Sequence, residues 1–132
     1  WKGAFEMIEE RPLTGFGYGT FPVLIGEYVP SAAGADAHNT YLIIAAEMGI
    51  PALISFLLIL FIALKNALWL LRNTEDKFFK AFALGYLGGV FALIVANIFG
   101  SRLNSEDVSS YLWVLTGLVM RAVIMKKKHE IV

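Results

Sequence analysis

Two histidines occur in the 132-residue chain, and one of them stands among residue types able to do chemistry. His38 lies in "ADAHNTYLIIAAEMGIP" (35–51), where a polar loop gives way to an apolar run. His129 lies in the Lys-rich tail "KKKHEIV". A neutral histidine can accept a proton near neutral pH, as a general base must. Asp36, Asn39 and Glu47 stand near His38 in sequence; Arg11, Glu27, Asn97, Arg102, Asn104, Glu106 and Asp107 complete the polar set. An arginine fork clamps phosphate through two parallel hydrogen bonds, and Arg11 and Arg102 are the arginines of this set. A base beside such a clamp at a membrane edge suits transfer of a group from a lipid-linked phosphate or pyrophosphate. Local sequence leaves a plainer reading open. A histidine before a helix also serves as a capping residue, and Arg102 as a partner of headgroups, Glu106 or Asp107. Glu47 also serves as a local cap, although a carboxylate at a membrane helix end is a functional candidate.

Other chemistries fit poorly. The chain has no cysteine, which excludes disulfides and thiolate metal sites. One histidine with scattered carboxylates lacks metal-ligand spacing, so no metal and no cofactor is expected. No Ser-His-Asp constellation is supported by spacing. The formal net charge is zero, with no basic signal for nucleic acid. Gly15, Gly17 and Gly19 alternate, but the dinucleotide fingerprint needs a strand before it and a helix after it. The glycines read as a phosphate cradle or as tight turns that let Phe16, Tyr18 and Phe21 pack down.

The elements that must position these groups follow from hydropathy. Hydrophobic residues make up 58% of the chain and the mean hydropathy is +0.65. Trp1, Ala4, Phe5 and Ile8 share one face of an amphipathic helix that ends at Pro12. Such a helix suits a membrane interface or a surface packed against other parts of the protein. Residues 13–38 read as loop, with Pro22 and Pro30 as breakers. Asn39 is a good N-cap, and Gly49 followed by Pro51 closes one helix and opens another, which gives a short helix over 40–48. Membrane spans are expected near 51–71, 78–99 and 108–125. Gly85, Gly88 and Gly89 in the second would permit close helix approach. The fold class is therefore all-α and integral to a membrane. An extracytoplasmic loop region with short helices (1–40) precedes a membrane region (41–132) of about three transmembrane helices. Eight of the eleven basic residues fall on the side of the 72–77 turn and the C-terminus. The positive-inside rule makes that side cytoplasmic and turns residues 1–40 and 100–107 outward. The chain begins at Trp1 and reads as a C-terminal piece of a longer membrane protein.

Together these residues resemble the O-antigen ligase and polymerase family of bacterial membrane proteins. The pattern begins in "WKGAFEMIEERPLTGFGYGTF" at Trp1, Ala4, Ile8, Pro12, Leu13, Gly15, Gly17 and Phe21. It resumes in "HNTYLIIAAEMGIP" at His38, Asn39, Tyr41, Leu42, Glu47, Gly49 and Ile50, and covers roughly residues 1–55. The resemblance implies a membrane glycosyltransferase that takes a glycan from undecaprenyl pyrophosphate. The glycan passes to lipid A core (ligases) or to another lipid-linked glycan (polymerases). It implies His38 as the base and periplasm-facing arginines on the pyrophosphate. From the outward polar set read above, Arg102, Arg11, Asn39 and Glu47 are the expected substrate-binding residues. No metal is needed. Its partners are the lipid-linked donor, a lipid or glycan acceptor, and membrane lipids, in the bacterial inner membrane with the C-terminus in the cytoplasm. Family proteins have about a dozen spans, so these residues are expected to be inactive alone. Two other classes stay open. A polysaccharide transporter or flippase would place charged or broken spans near the bilayer midplane. A non-catalytic anchor or assembly subunit would need neither the Gly-rich loop nor the histidine. Oligomeric state, sugar and acceptor are not legible.

Overall fold

The computed structural model describes residues 1–130, with side chains to Lys128. The side chain of His129 and the chain end, expected on the cytoplasmic side, lie outside the described residues. Among the described residues six α-helices follow one another: α1 (Lys2–Glu10), α2 (Phe21–Tyr28), α3 (Thr40–Met48), α4 (Ile50–Asn73), α5 (Lys77–Ala96) and α6 (Glu106–Glu130). No β-strand occurs among the described residues. The protein is all-helical, and α4, α5 and α6 are long and apolar enough to cross a membrane.

The chain forms two compact units, the first comprising Trp1–Leu57 and Ala96–Asn104. Its core joins Ala4 and Met7 of α1, Phe21 and Ile25 of α2, Ala37, and Ile43 and Ala46 of α3. The buried stripe of α1 is Gly3, Ala4 and Met7, whereas Trp1 and Phe5 are 57% and 52% exposed. So α1 packs on protein along a stripe offset from the one that the aromatic spacing marks. The helix α2 corrects the loop expected over 13–38. Pro22 is no breaker there, because it occupies the first turn, where a missing N–H breaks no helical bond. The expected 40–48 helix is present as α3. Asn39 caps it by accepting from Leu42 N at 3.0 Å, and Gly49 ends it at φ +85°.

The last carbonyls of a helix lack intrahelical partners. In α3 the Gly-rich loop supplies them: Phe16 N donates to Ala46 O at 3.0 Å and Gly17 N to Glu47 O at 2.8 Å. This approach requires glycine. Gly15 has φ +62°, and a Cβ on it would overlap the Glu47 carbonyl. Gly15→Ala is therefore expected to destabilise this unit by roughly 2–4 kcal/mol, combining left-handed strain with overpacking. Gly34, at φ +75° with open space around it, is the control. Gly34→Ala should show only the strain, about 1–2 kcal/mol, in thermal melting of the detergent-solubilised full-length protein. Equal losses would mean that the close approach contributes nothing.

The second unit comprises Leu58–Val95 and the chain from Ser105. Leu70, Ala83, Ala122 and Val123 form its small core, and Tyr86 shares a hydrogen bond with Thr116 at 2.7 Å. Large apolar side chains such as Phe61, Phe91 and Val114 are turned outward, each more than 60% exposed, as lipid-facing helices require. The helix that carries the third expected span is longer than 108–125, because α6 runs on through the lysines that follow it. A Cβ on Gly85, Gly88 or Gly89 would meet nothing within 4 Å, so these glycines mediate no close helix approach in the described structure.

Candidate functional site

His38 stands on a loop held by its neighbours. Its φ of +49° makes it the one non-glycine residue with positive φ among the described residues, a conformation that costs an ordinary side chain about 1–2 kcal/mol. Asp36 holds it there as an Asx turn, its Oδ1 accepting from His38 N at 2.9 Å. The same oxygen accepts from Ser101 Oγ at 2.7 Å. Trp1 Nε1 donates to the Ala37 carbonyl at 2.9 Å, and Ala37 packs into the core. The backbone is thus tied on both sides of an exposed imidazole. Strain of this kind persists where surrounding structure over-determines it, typically at functional sites.

One residue further on, α3 begins against the 96–104 segment. Thr40 N, an amide that the helix leaves unsatisfied, donates to Asn97 O at 3.0 Å. The Thr40 hydroxyl donates to the Asn97 side-chain oxygen, which also accepts from Leu103 N at 3.2 Å. Thr40 and Asn97 are both buried. Asn97 falls inside the expected 78–99 span, near its end; in the structure it lies beyond α5, which stops at Ala96, and locks the histidine loop to the following turn. Trp1, Asp36, Thr40, Asn97 and Ser101 carry this geometry. The one sequence signal for it is Asn97, an unexplained polar residue after an apolar run.

At the other end of α3, Glu47 is 5% exposed. One of its carboxylate oxygens accepts from Phe21 N, the first amide of α2, at 2.9 Å. This is an N-terminal cap supplied from 26 residues away, where an acidic group is favoured. Glu47 thus joins α2 to α3 and also lines a cavity of about 280 Å³ together with Tyr18, Phe21, Asp36 and Asn104. Phe21 and Phe16 pack down as expected. Tyr18 does not, being 89% exposed.

The arginines occupy different surroundings. Arg102 sits in a 3-10 turn (Arg102–Asn104), next to the Ser101 that bonds Asp36. It is exposed, and the ion pairs among the described residues, Lys2–Glu6 and Lys80–Glu75, do not include it. Arg11 lies over the Phe16 ring at 4.5 Å, in a cation–π contact. Phe16 meets Tyr28 edge-on at 6.2 Å. The Tyr28 hydroxyl donates to Glu10 at 2.6 Å, and that hydrogen bond pushes the phenol up to about 12. Among the described residues no hydrogen bond or ion pair joins Arg11 to the His38 loop. Asn39, buried and capping α3, positions the histidine from the C-terminal side.

Residues 1–57 match the O-antigen ligase family. The match takes in the Gly-rich loop, His38, Asn39 and Glu47, and bears out the resemblance read from the sequence over these residues. Arg102 and Asn97 lie beyond it. No curated protein and no solved structure matches the chain.

Proposed function

We propose that this chain forms part of a membrane glycosyltransferase that moves a glycan from an undecaprenyl-pyrophosphate donor to lipid A core or to another lipid-linked glycan. His38 takes the proton from the acceptor hydroxyl as that oxygen attacks the donor sugar. Arg102 and Arg11 hold the pyrophosphate, which leaves with the lipid. Asn39 and Glu47 complete the substrate-binding set. The observation that carries this reading is the exposed imidazole on a strained, doubly tethered loop, inside the stretch that matches a family of glycan ligases.

A transporter is less well supported. Among the described residues the buried polar ones are Asn39, Thr40, Glu47, Thr74 and Asn97. All lie outside the three membrane-compatible helices, whereas transport sites gather at the bilayer midplane.

Glycan analysis of cells carrying the full-length protein with His38→Ala tests the function. Loss of long chains attached to lipid A core identifies a ligase, and loss of chain length alone a polymerase. Unchanged glycans would refute both. The reading also requires residues 1–40 and 100–107 to face the periplasm. In a cysteine-free full-length background, Ser105→Cys should react with an impermeant thiol reagent in spheroplasts, and Glu75→Cys should not. The opposite pattern would put His38 on the wrong side of the membrane for a periplasmic reaction.

A further inference from the structure

The cavity between the Gly-rich loop and α3 has a chemistry of its own. Its volume is about 280 Å³, just below the range of about 300–1,000 Å³ usual for drug-sized ligands. It therefore suits one small ring better than a chain. Two carboxylates, Asp36 and Glu47, reach it together with the Asn104 amide, and Phe21 and Pro22 give it apolar walls.

Glu47 is the informative residue. It is 5% exposed, and Phe21 N occupies one of its oxygens. Among the described residues no donor reaches the other oxygen. Yet among the described residues no side-chain nitrogen or oxygen is fully buried without a partner. The second oxygen must therefore reach open space, and the open space beside it is this cavity. An acceptor so nearly buried gains from any donor that enters, because an unmatched one carries a desolvation penalty.

Tyr18 supplies the complementary surface. It is 89% exposed at the cavity edge, between Gly17 at φ +111° and Gly19 at φ +77°. The loop holds the ring away from the core, where it offers a flat amphipathic face.

Acceptors at the base and an aromatic plate at the rim select a ligand with many hydroxyl donors and an apolar face. A pyrophosphate is excluded, because two carboxylates repel it. A metal ion lacks ligands, since no group of three or more such side chains occurs among the described residues. We infer that this cavity binds one neutral pyranose ring, the terminal sugar of the acceptor glycan. Assignment to the acceptor rests on the proposed transfer reaction and on Asp36, which lines the cavity and also tethers His38. A sugar seated there lies next to the loop that presents the base, whereas Arg102 and Arg11 do not line the cavity.

Saturation-transfer NMR on the full-length protein in nanodiscs tests the site, with methyl α-glucopyranoside, galactopyranoside and mannopyranoside as probes. At least one should receive saturation at its ring C–H protons. Tyr18→Ala removes the plate from an exposed position without disturbing the core. Glu47→Gln keeps an oxygen for Phe21 N but turns the other acceptor into a donor. Each should weaken binding roughly two- to tenfold and leave phosphorus line broadening of added inorganic pyrophosphate unchanged. The site is refuted if no pyranoside responds, if neither variant weakens the response, or if pyrophosphate displaces the pyranoside. Enzyme assays separate the two proposals. Sugar binding that depends on Tyr18 and Glu47, in a protein that transfers no glycan, would sink the transferase and keep the site. Transfer that depends on His38, with an acceptor KM unmoved by Tyr18→Ala, would sink the site and keep the transferase.

Discussion

His38→Ala in the full-length protein should lower glycan transfer by about 10²- to 10⁴-fold, the usual value of general-base catalysis, with the protein still folded and in the membrane. The structure explains why the two effects separate. The backbone amide of His38, not its imidazole, makes the bond to Asp36, and the side chain is exposed. Removing the ring therefore leaves every tether of the loop in place. His38→Gln is the sharper variant, since Gln can hydrogen-bond but takes up no proton near neutral pH. It should fail as completely as Ala. His38→Gly adds a measurement that a structural role would not produce. Glycine adopts the +49° φ without steric cost, so this variant should melt higher, by about 1 kcal/mol, while losing transfer. A folded Gln variant with near-normal turnover would remove His38 from the mechanism. A Gly variant that melts lower would show that the imidazole supports the fold.

How far the sequence reveals this site depends on how local each signal is. Both ends of α3 are written within a few residues of where they act. Asn39 caps its own helix, and Gly49 takes the left-handed turn that ends it. The membrane-compatible helices are legible because a bilayer demands length and apolarity and little else. The helix α2 is not, because Pro22 reads as a breaker unless its position in the first turn is known, and because the group that caps it is Glu47, 26 residues away. The lock between Thr40 and Asn97 spans 57 residues, and no periodicity encodes such a pair. The reading of the glycines as tight turns puts Tyr18 inside with Phe16 and Phe21. The glycines on either side of it turn the ring outward instead. Sequence therefore names the histidine, whereas the residues that aim it come from the fold.

Arg102 carries the second large effect. It lies outside the family match, so the case for it rests on placement and charge. The turn that bears it is held through Ser101 to Asp36 and through Leu103 to Asn97, and Asp36 also holds His38. The guanidinium is exposed beside this frame with no ion pair among the described residues. A phosphate bound there would gain two parallel charge-assisted bonds without breaking an existing one. Arg102→Ala should reduce transfer on the order of 10²-fold, comparable to losing a donor that stabilises developing negative charge. Arg102→Lys distinguishes a clamp from a generic charge. Lysine keeps the charge but lacks the planar fork, so a clamp predicts that most of the loss remains, with a raised KM for the lipid-pyrophosphate donor and an unchanged KM for the acceptor. Arg11 serves as the comparison, because its guanidinium is already stacked on Phe16 and should report a smaller loss on conversion to lysine. Full activity in Arg102→Lys would reduce Arg102 to a surface charge and leave pyrophosphate binding to arginines elsewhere in the full-length protein.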